Sequence, residues 1–407
     1  MWWRSIGLAL GTASALGLAR FAYGLFVPAM SDRLHWTMAE AGGLTTANGV
    51  GYLLGAALTT VITRRTGLTA AFRAGMILTA ASLAGTAVSG VYPVLIAARA
   101  VGGFSGALVF ISGAALAARL AGVTASVAPI TVYFCGAGFG VALSGGVVPL
   151  LLDHHPGRWA LGWWTLACIA ALATLGSWWA ARTHRGRGAQ VSAQATGRHR
   201  LPGQWRLACA YLLFGTGYIA YITFLSAYLA ARQAPVALVC LTWMLIGLSA
   251  IAAPVFWSRP IATWAGTRAL GTLLAGVAVA AVVPLLGLTL LTVSVSALLF
   301  GSAFMMVPAA VTAFVSTTQP VGDATGALAT LTVMFAAGQS AGPWVAGLLA
   351  DRTNTGAVLG WAAVLCAAAA LLAITQPAAR VFRLGDRRPA SPAAGTRRWL
   401  RQAPPRC

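Results

Sequence analysis

Apolar runs of about 20 residues or more recur along the chain, each closed by glycine, proline or a charged residue. A helix of that length crosses the ~30 Å hydrocarbon core of a bilayer. The pattern predicts twelve such helices, at residues 5–30, 39–62, 70–90, 92–117, 125–152, 158–181, 205–231, 234–257, 268–286, 288–314, 324–350 and 355–377. Between the sixth and the seventh stands RTHRGRGAQVSAQATGRHRLPGQ, polar, basic and glycine-rich. The expected organisation is a six-helix bundle over 1–181, a basic cytoplasmic linker over 182–204, a second six-helix bundle over 205–378 and a basic disordered cytoplasmic tail over 379–407.

Composition agrees with this reading. Of 407 residues, 59% are hydrophobic and 8% charged, against about 25% charged in soluble domains. The fold class expected is an all-α polytopic membrane protein. All 27 basic residues are arginine, and with 6 acids they give a net charge of +21. Such an excess can signal nucleic acid, but these arginines sit in short loops and tails around apolar runs, so no nucleic-acid partner is expected. With both termini inside, twenty-one arginines fall on cytoplasmic segments and only Arg33, Arg158, Arg232 and Arg352 fall outside. Loops rich in arginine stay cytoplasmic, which makes this a multi-pass protein of a bacterial inner membrane with both ends in the cytoplasm. The linker and tail enforce that topology; contact with anionic membrane lipids is the second role open to them.

The opening MWWRSIGLALGTASALGLA has the charged start and apolar run of a signal peptide, but the run continues past any cleavage point and reads as an uncleaved first helix. The six cysteines show no paired or metal-like spacing, so they are expected to pack, with no disulfide framework, no metal and no cofactor.

The two sets of six look like copies. A shift of 198 positions lays Gly17 on Gly215, Tyr23 on Tyr221 and Phe26 on Phe224, and a shift of 195 lays Gly106 on Gly301. The fifth and eleventh spans each carry G-x-x-x-G, at Gly136/Gly140 and Gly338/Gly342. Transporters built from parallel repeats place their substrate site at the repeat interface.

These features resemble the major facilitator superfamily over essentially the whole chain. The loop TRRTGLTAAFR is similar to that superfamily's glycine, then Asp-Arg-x-Gly-Arg, motif: Arg65 and Gly67 match, and Arg64 stands where the acid belongs. RAVGGFSGA carries Arg99 and Gly103 in the superfamily's Arg-x-x-x-Gly positions. The runs RFAYGLFVPAM, TTANGVGYLLGA, GTGYIAYITF and FAAGQSAGPWVAG resemble the YbfB/YjiJ-type branch. The resemblance implies a transporter and gives Arg65 and Gly67 gating or coupling roles; for Arg99 such a role stands beside a structural one, which is preferred. No particular substrate is implied.

Arg20 is the residue the pattern does not explain. A charge near the bilayer centre costs at least ~2.5–3.5 kcal/mol, and Arg20 lies deep in the first span, with Gly17, Tyr23 and Gly24 on its helical face. Pro28 is expected to cap or bend the outer end of that helix. Three readings of Arg20 stand: binding of a substrate carboxylate or phosphate by the forked guanidinium, an ion pair with Glu40, or hydrogen bonds to internal carbonyls. Candidate companions in a central cavity are Tyr23, the stripe Thr45, Asn48 and Tyr52, then Tyr218 and Tyr221 at the repeat positions of Arg20 and Tyr23, and Gln339. Met305, Met306 and Trp344 read as packing residues.

The expected function is secondary transport of a small organic solute by alternating access, as a monomer, with an organic anion held near Arg20. Export of amphipathic aromatic compounds is the alternative. There is no G-x-x-x-x-G-K-[ST] loop for nucleotide, every histidine falls in a loop or linker, and Glu40 is the best protonatable candidate for coupling. Paired carboxylates, metal sets and Ser-His-Asp arrangements are missing, so an enzyme is not expected. A receptor or scaffold is the remaining rival.

Overall fold

A computed structural model describes residues 2–154, 157–182, 204–319 and 321–376, so residues 183–203 of the expected linker and the whole expected tail lie outside the described residues. The described residues form twelve long helices. They are α1 Trp2–Leu34, α2 Met38–Thr66, α3 Leu68–Ala87, α4 Tyr92–Thr124, α5 Ala128–His154 and α6 Trp159–Ala180, followed by α7 Trp205–Ala231, α8 Val236–Thr263, α9 Arg268–Leu286, α10 Leu290–Thr318, α11 Val321–Arg352 and α12 Thr355–Ile374. Each of the twelve expected spans meets one of them, and α7 occupies the expected residues.

Eleven of the twelve are both long and apolar enough to cross a membrane. The exception is α2, whose 29 residues include Thr45, Thr46, Asn48 and five glycines in place of aliphatic side chains. It tolerates that polarity because it packs between α4 and α11. Gly51 and Gly55 lie against the backbone of Ala100 and Phe104, where a Cβ would overlap α4.

Burial sorts the helices. The apolar window of α1 is 94% buried and that of α7 72%, whereas the other nine apolar helices bury between 39% and 56%. The first and seventh helices are therefore central, and the rest show about half their surface to the bilayer. Pairings repeat with an offset of six: α1 with α5 and α6 matches α7 with α11 and α12, α2 with α4 matches α8 with α10, and α3 with α6 matches α9 with α12. The G-x-x-x-G pairs occupy equivalent seats. Gly136 and Gly140 lie on Ala9, Ala13 and Gly17 of α1, and Gly338 and Gly342 lie on Leu212 and Thr216 of α7.

The most extensive contacts between the first six helices and the last six run through α1 with α7, α2 with α11 and α5 with α8. They begin at the end of the molecule where α1 finishes. There the Asp351 carboxylate accepts the N–H groups of Met38 and Ala39 at 2.7 and 2.9 Å, so a side chain of α11 caps α2. Gly42 lies against the Pro343 carbonyl and Gly347 against the Met38 carbonyl. Farther in, Gly49 meets Ser340 and Gly138 meets Gly247.

Helix α1 is not uniform. Residues Ala13–Phe21 form a π-helical stretch between α-helical Trp2–Thr12 and Tyr23–Leu34, and the Ala22 N–H reaches back to the Gly17 carbonyl at 3.0 Å. Pro28 does not end the helix, which continues to Leu34 and closes on His35 at a left-handed φ of 54°. Proline removes one N–H from the ladder, and the side chains packed around α1 hold the rest.

Candidate functional site

The π-helical turn of α1 carries Arg20, which is 7% exposed. Its Nη2 donates to Gln339 Oε1 of α11 at 2.7 Å. The Tyr218 hydroxyl of α7 donates to the same oxygen at 3.0 Å, and the guanidinium lies 5.0 Å from the ring centre of Tyr52 in α2. Four helices thus meet around one cation. The Tyr218 hydroxyl also interacts with the guanidinium itself; among the described residues the other Arg20 donors find no further acceptor, and they are not sealed from solvent as Arg99 Nε and Nη2 are.

Among the described residues no carboxylate answers the charge. Asp32, Asp153 and Asp351 are exposed at helix ends. Glu40 caps its own helix: its carboxylate accepts the Thr37 N–H at 2.9 Å while the Thr37 hydroxyl accepts the Glu40 N–H at 3.1 Å. This reciprocal box satisfies two free donors of the first turn, so the Arg20–Glu40 ion pair is not formed.

The other sequence candidates part company. Tyr23 donates its hydroxyl to the Ala41 carbonyl at 2.8 Å and lays its ring beneath Arg99, 4.8 Å away. Asn48 donates to the Arg99 carbonyl at 3.1 Å, tying α2 to α4. Tyr221 shares a 2.6 Å hydrogen bond with Ser296, which donates to the Ala280 carbonyl, so the pair ties α7, α9 and α10. Arg99 is 2% exposed, donates to the Ala19 carbonyl, and faces Tyr23 and Trp163. Arg65 is exposed at the far end of α2, and Gly67 closes that helix at a φ of +85°. The structure therefore groups Arg20, Tyr52, Tyr218 and Gln339 and takes Tyr23, Asn48, Tyr221, Glu40, Arg99, Arg65 and Gly67 elsewhere.

Beside this group lies an aromatic wall that the sequence reading did not name. Tyr218 stacks on Phe214 at 4.9 Å, on Phe335 at 5.7 Å and on Phe304 at 6.2 Å, and Tyr211 stacks on Phe335 at 4.7 Å. Phe21 of α1 meets Phe304 edge-on at 5.7 Å. The i, i+3, i+7 spacing of Tyr211, Phe214 and Tyr218 and the i, i+4 spacing of Phe335 and Gln339 were the available signal. Chemically, the site is a cation with neutral partners beside a stack of buried aromatic rings.

The family model described as "Uncharacterised MFS-type transporter YbfB" matches residues 12–377. Solved structures agree with the fold. A mutant form of the nucleoside transporter NupG superposes with a TM-score of 0.69 at 13% identity, covering 91% of this chain and 98% of that one. A bacterial homologue of the human lysosomal transporter Spinster, inward-facing and unoccupied, gives a TM-score of 0.63 at 14% identity, with 91% and 94% covered. The human organic anion transporter MFSD10 gives 0.61 at 19% identity, with 91% and 99% covered. No curated protein sequence matches the chain.

Proposed function

The chain belongs to the YbfB-type family of MFS transporters, and from that premise we propose that it carries a small organic anion by alternating access, with Arg20 as the residue that receives the anion. One observation carries this reading: among the described residues the buried guanidinium is met only by uncharged groups, the Gln339 amide and the Tyr218 hydroxyl. A guanidinium withdrawn from water is stable only when paired, and a carboxylate accepts two parallel bonds from its fork. The site is therefore under-neutralised by one charge, and a monoanion makes up that deficit. A cationic solute meets repulsion there.

The place of Arg20 supports the same reading. It stands where α1, α2, α7 and α11 converge, at the junction between two sets of helices with matching pairings. Two bodies of six helices rocking about this junction expose it to each side in turn. The excess of arginine on the loops at the opposite end places the Leu34 end outside, so the contacts of Asp351, Gly42 and Gly347 close the outer face. The protein then lies in a bacterial inner membrane as a monomer, with both termini inside. MFSD10 shares only the fold with this chain; the anion assignment rests on Arg20.

The aromatic wall favours a second feature of the cargo, an apolar and preferably planar body beside the charge. An exporter of neutral amphipathic aromatics is the competing reading. Flux into proteoliposomes separates them: benzoate and other monocarboxylates are carried in preference to their neutral amides, and Arg20→Gln abolishes that preference. Equal handling of acid and amide by the unmodified protein overturns the anion reading.

A further inference from the structure

The Arg20–Gln339 bond does two things at once. It satisfies the cation, and it ties the first helix to the eleventh across the seam between the two sets of six. We propose that Gln339 is an internal stand-in for the substrate's carboxylate, displaced when the anion binds, so that occupancy of the site and release of the α1–α11 tie are a single event. This rests on the anion reading of the Arg20 site.

Three observations lead here. The Gln339 amide oxygen sits 2.7 Å from Arg20 Nη2, at the distance a carboxylate oxygen takes from a guanidinium. Second, that oxygen is also held by the Tyr218 hydroxyl at 3.0 Å, and Tyr218 and Gln339 belong to the paired helices α7 and α11. When Arg20 turns to a ligand, Tyr218 retains the amide on its own side of the seam, so no buried acceptor is stranded. Third, beyond Gln339 and Tyr218, Arg20 keeps donors that find no acceptor among the described residues and are not sealed from solvent, which is where an arriving anion makes its first bond.

Selectivity follows from the competition. A neutral amide ligand exchanges one amide acceptor for another and gains nothing at Arg20. A carboxylate brings a full charge and a second bond, and so displaces Gln339. The protein rejects neutral analogues by offering its own. The same competition weakens binding of the anion, because the receptive state is only part of the empty ensemble.

The test uses the full-length protein in lipid nanodiscs, with binding of benzoate, benzamide and further acid–amide pairs read by thermal shift and calorimetry. Gln339→Met keeps the length of the side chain and removes the acceptor; carboxylates should bind about ten-fold tighter. Gln339→Glu pairs with Arg20 permanently; carboxylate binding should fall about ten-fold or more, with the ligand-free melting temperature raised. Carboxylate affinity in Gln339→Glu equal to the unmodified protein overturns the proposal, and so does a Gln339→Met protein that binds no tighter. Should Arg20→Gln remove the acid preference while both Gln339 variants behave as the unmodified protein, the displacement fails and the anion site stands. Should Arg20→Gln leave that preference intact, or should no carboxylate bind the unmodified protein, the anion site itself fails.

Discussion

Two guanidiniums are buried in the same helical layer, and their surroundings set them different tasks. Arg99 is enclosed, donating to the Ala19 carbonyl between the Tyr23 and Trp163 rings. Arg99→Lys loses the planar faces that stack there, so the melting temperature should fall by an amount corresponding to about 2 kcal/mol, with the acid-over-amide preference kept. Arg20→Gln should do the reverse, keeping most of the stability and losing carboxylate transport at least about ten-fold. Paired melting and flux measurements on the two variants check both. Much of this was legible as an anomaly: an arginine inside LGLARFAYGLF demands a partner. The partner was harder to find, because Gln339 lies 319 positions away and is uncharged. Tyr23 was chosen as the i+3 neighbour of Arg20 and Tyr221 by repeat position; neither signal could show that their hydroxyls go to acceptors within reach, the Ala41 carbonyl and Ser296. Glu40 was picked out by the rarity of acids, while the local T-x-x-E pattern from Thr37 already described its capping role.

At the scale of the helix, length and hydropathy carried most of the information, and α2 shows why they sufficed even where composition was poor. A segment between polar turns, with glycines on the face that meets α4, remains a membrane helix when neighbours cover its polar positions. The π-helical stretch Ala13–Phe21 was not legible, because its small residues suit an ordinary helix equally well. What distinguishes it is tertiary: Gly17 lies on Gly140, and Arg99 draws on the Ala19 carbonyl. Gly140→Leu pushes a side chain into the backbone of Ala13 and Gly17, and should destabilise the protein by about 3 kcal/mol, seen as a lower melting temperature and poorer yield of folded protein. The cap that α11 lends to α2 is likewise beyond sequence reading. Asp351→Ala leaves the N–H groups of Met38 and Ala39 without their acceptor, a loss of about 1–2 kcal/mol. It should increase labelling of Ser340→Cys, a near-isosteric change at a buried seam position facing Gly49, by a membrane-impermeant maleimide added from outside.

For the whole molecule, the count of helices and the six-plus-six arrangement followed from the apolar pattern, whereas the way the two sets touch did not. Single cysteines check the proposed orientation: one at Asn354 should react with an impermeant maleimide from outside, and one at Arg64 only after the membrane is opened. Both native residues are exposed. The manner of contact between the sets has its own consequence. Gly42 and Gly347 rest on main-chain carbonyls, and Gly138 and Gly247 rest on each other, so at these places the opposed walls are nearly bare peptide. Large rings do cross elsewhere: Phe21 against Phe304, and Trp243 seated on Gly24 and Gly145. Bare stretches slide apart without waiting for side chains to rearrange, so resistance to opening gathers at those rings and at a handful of directional bonds.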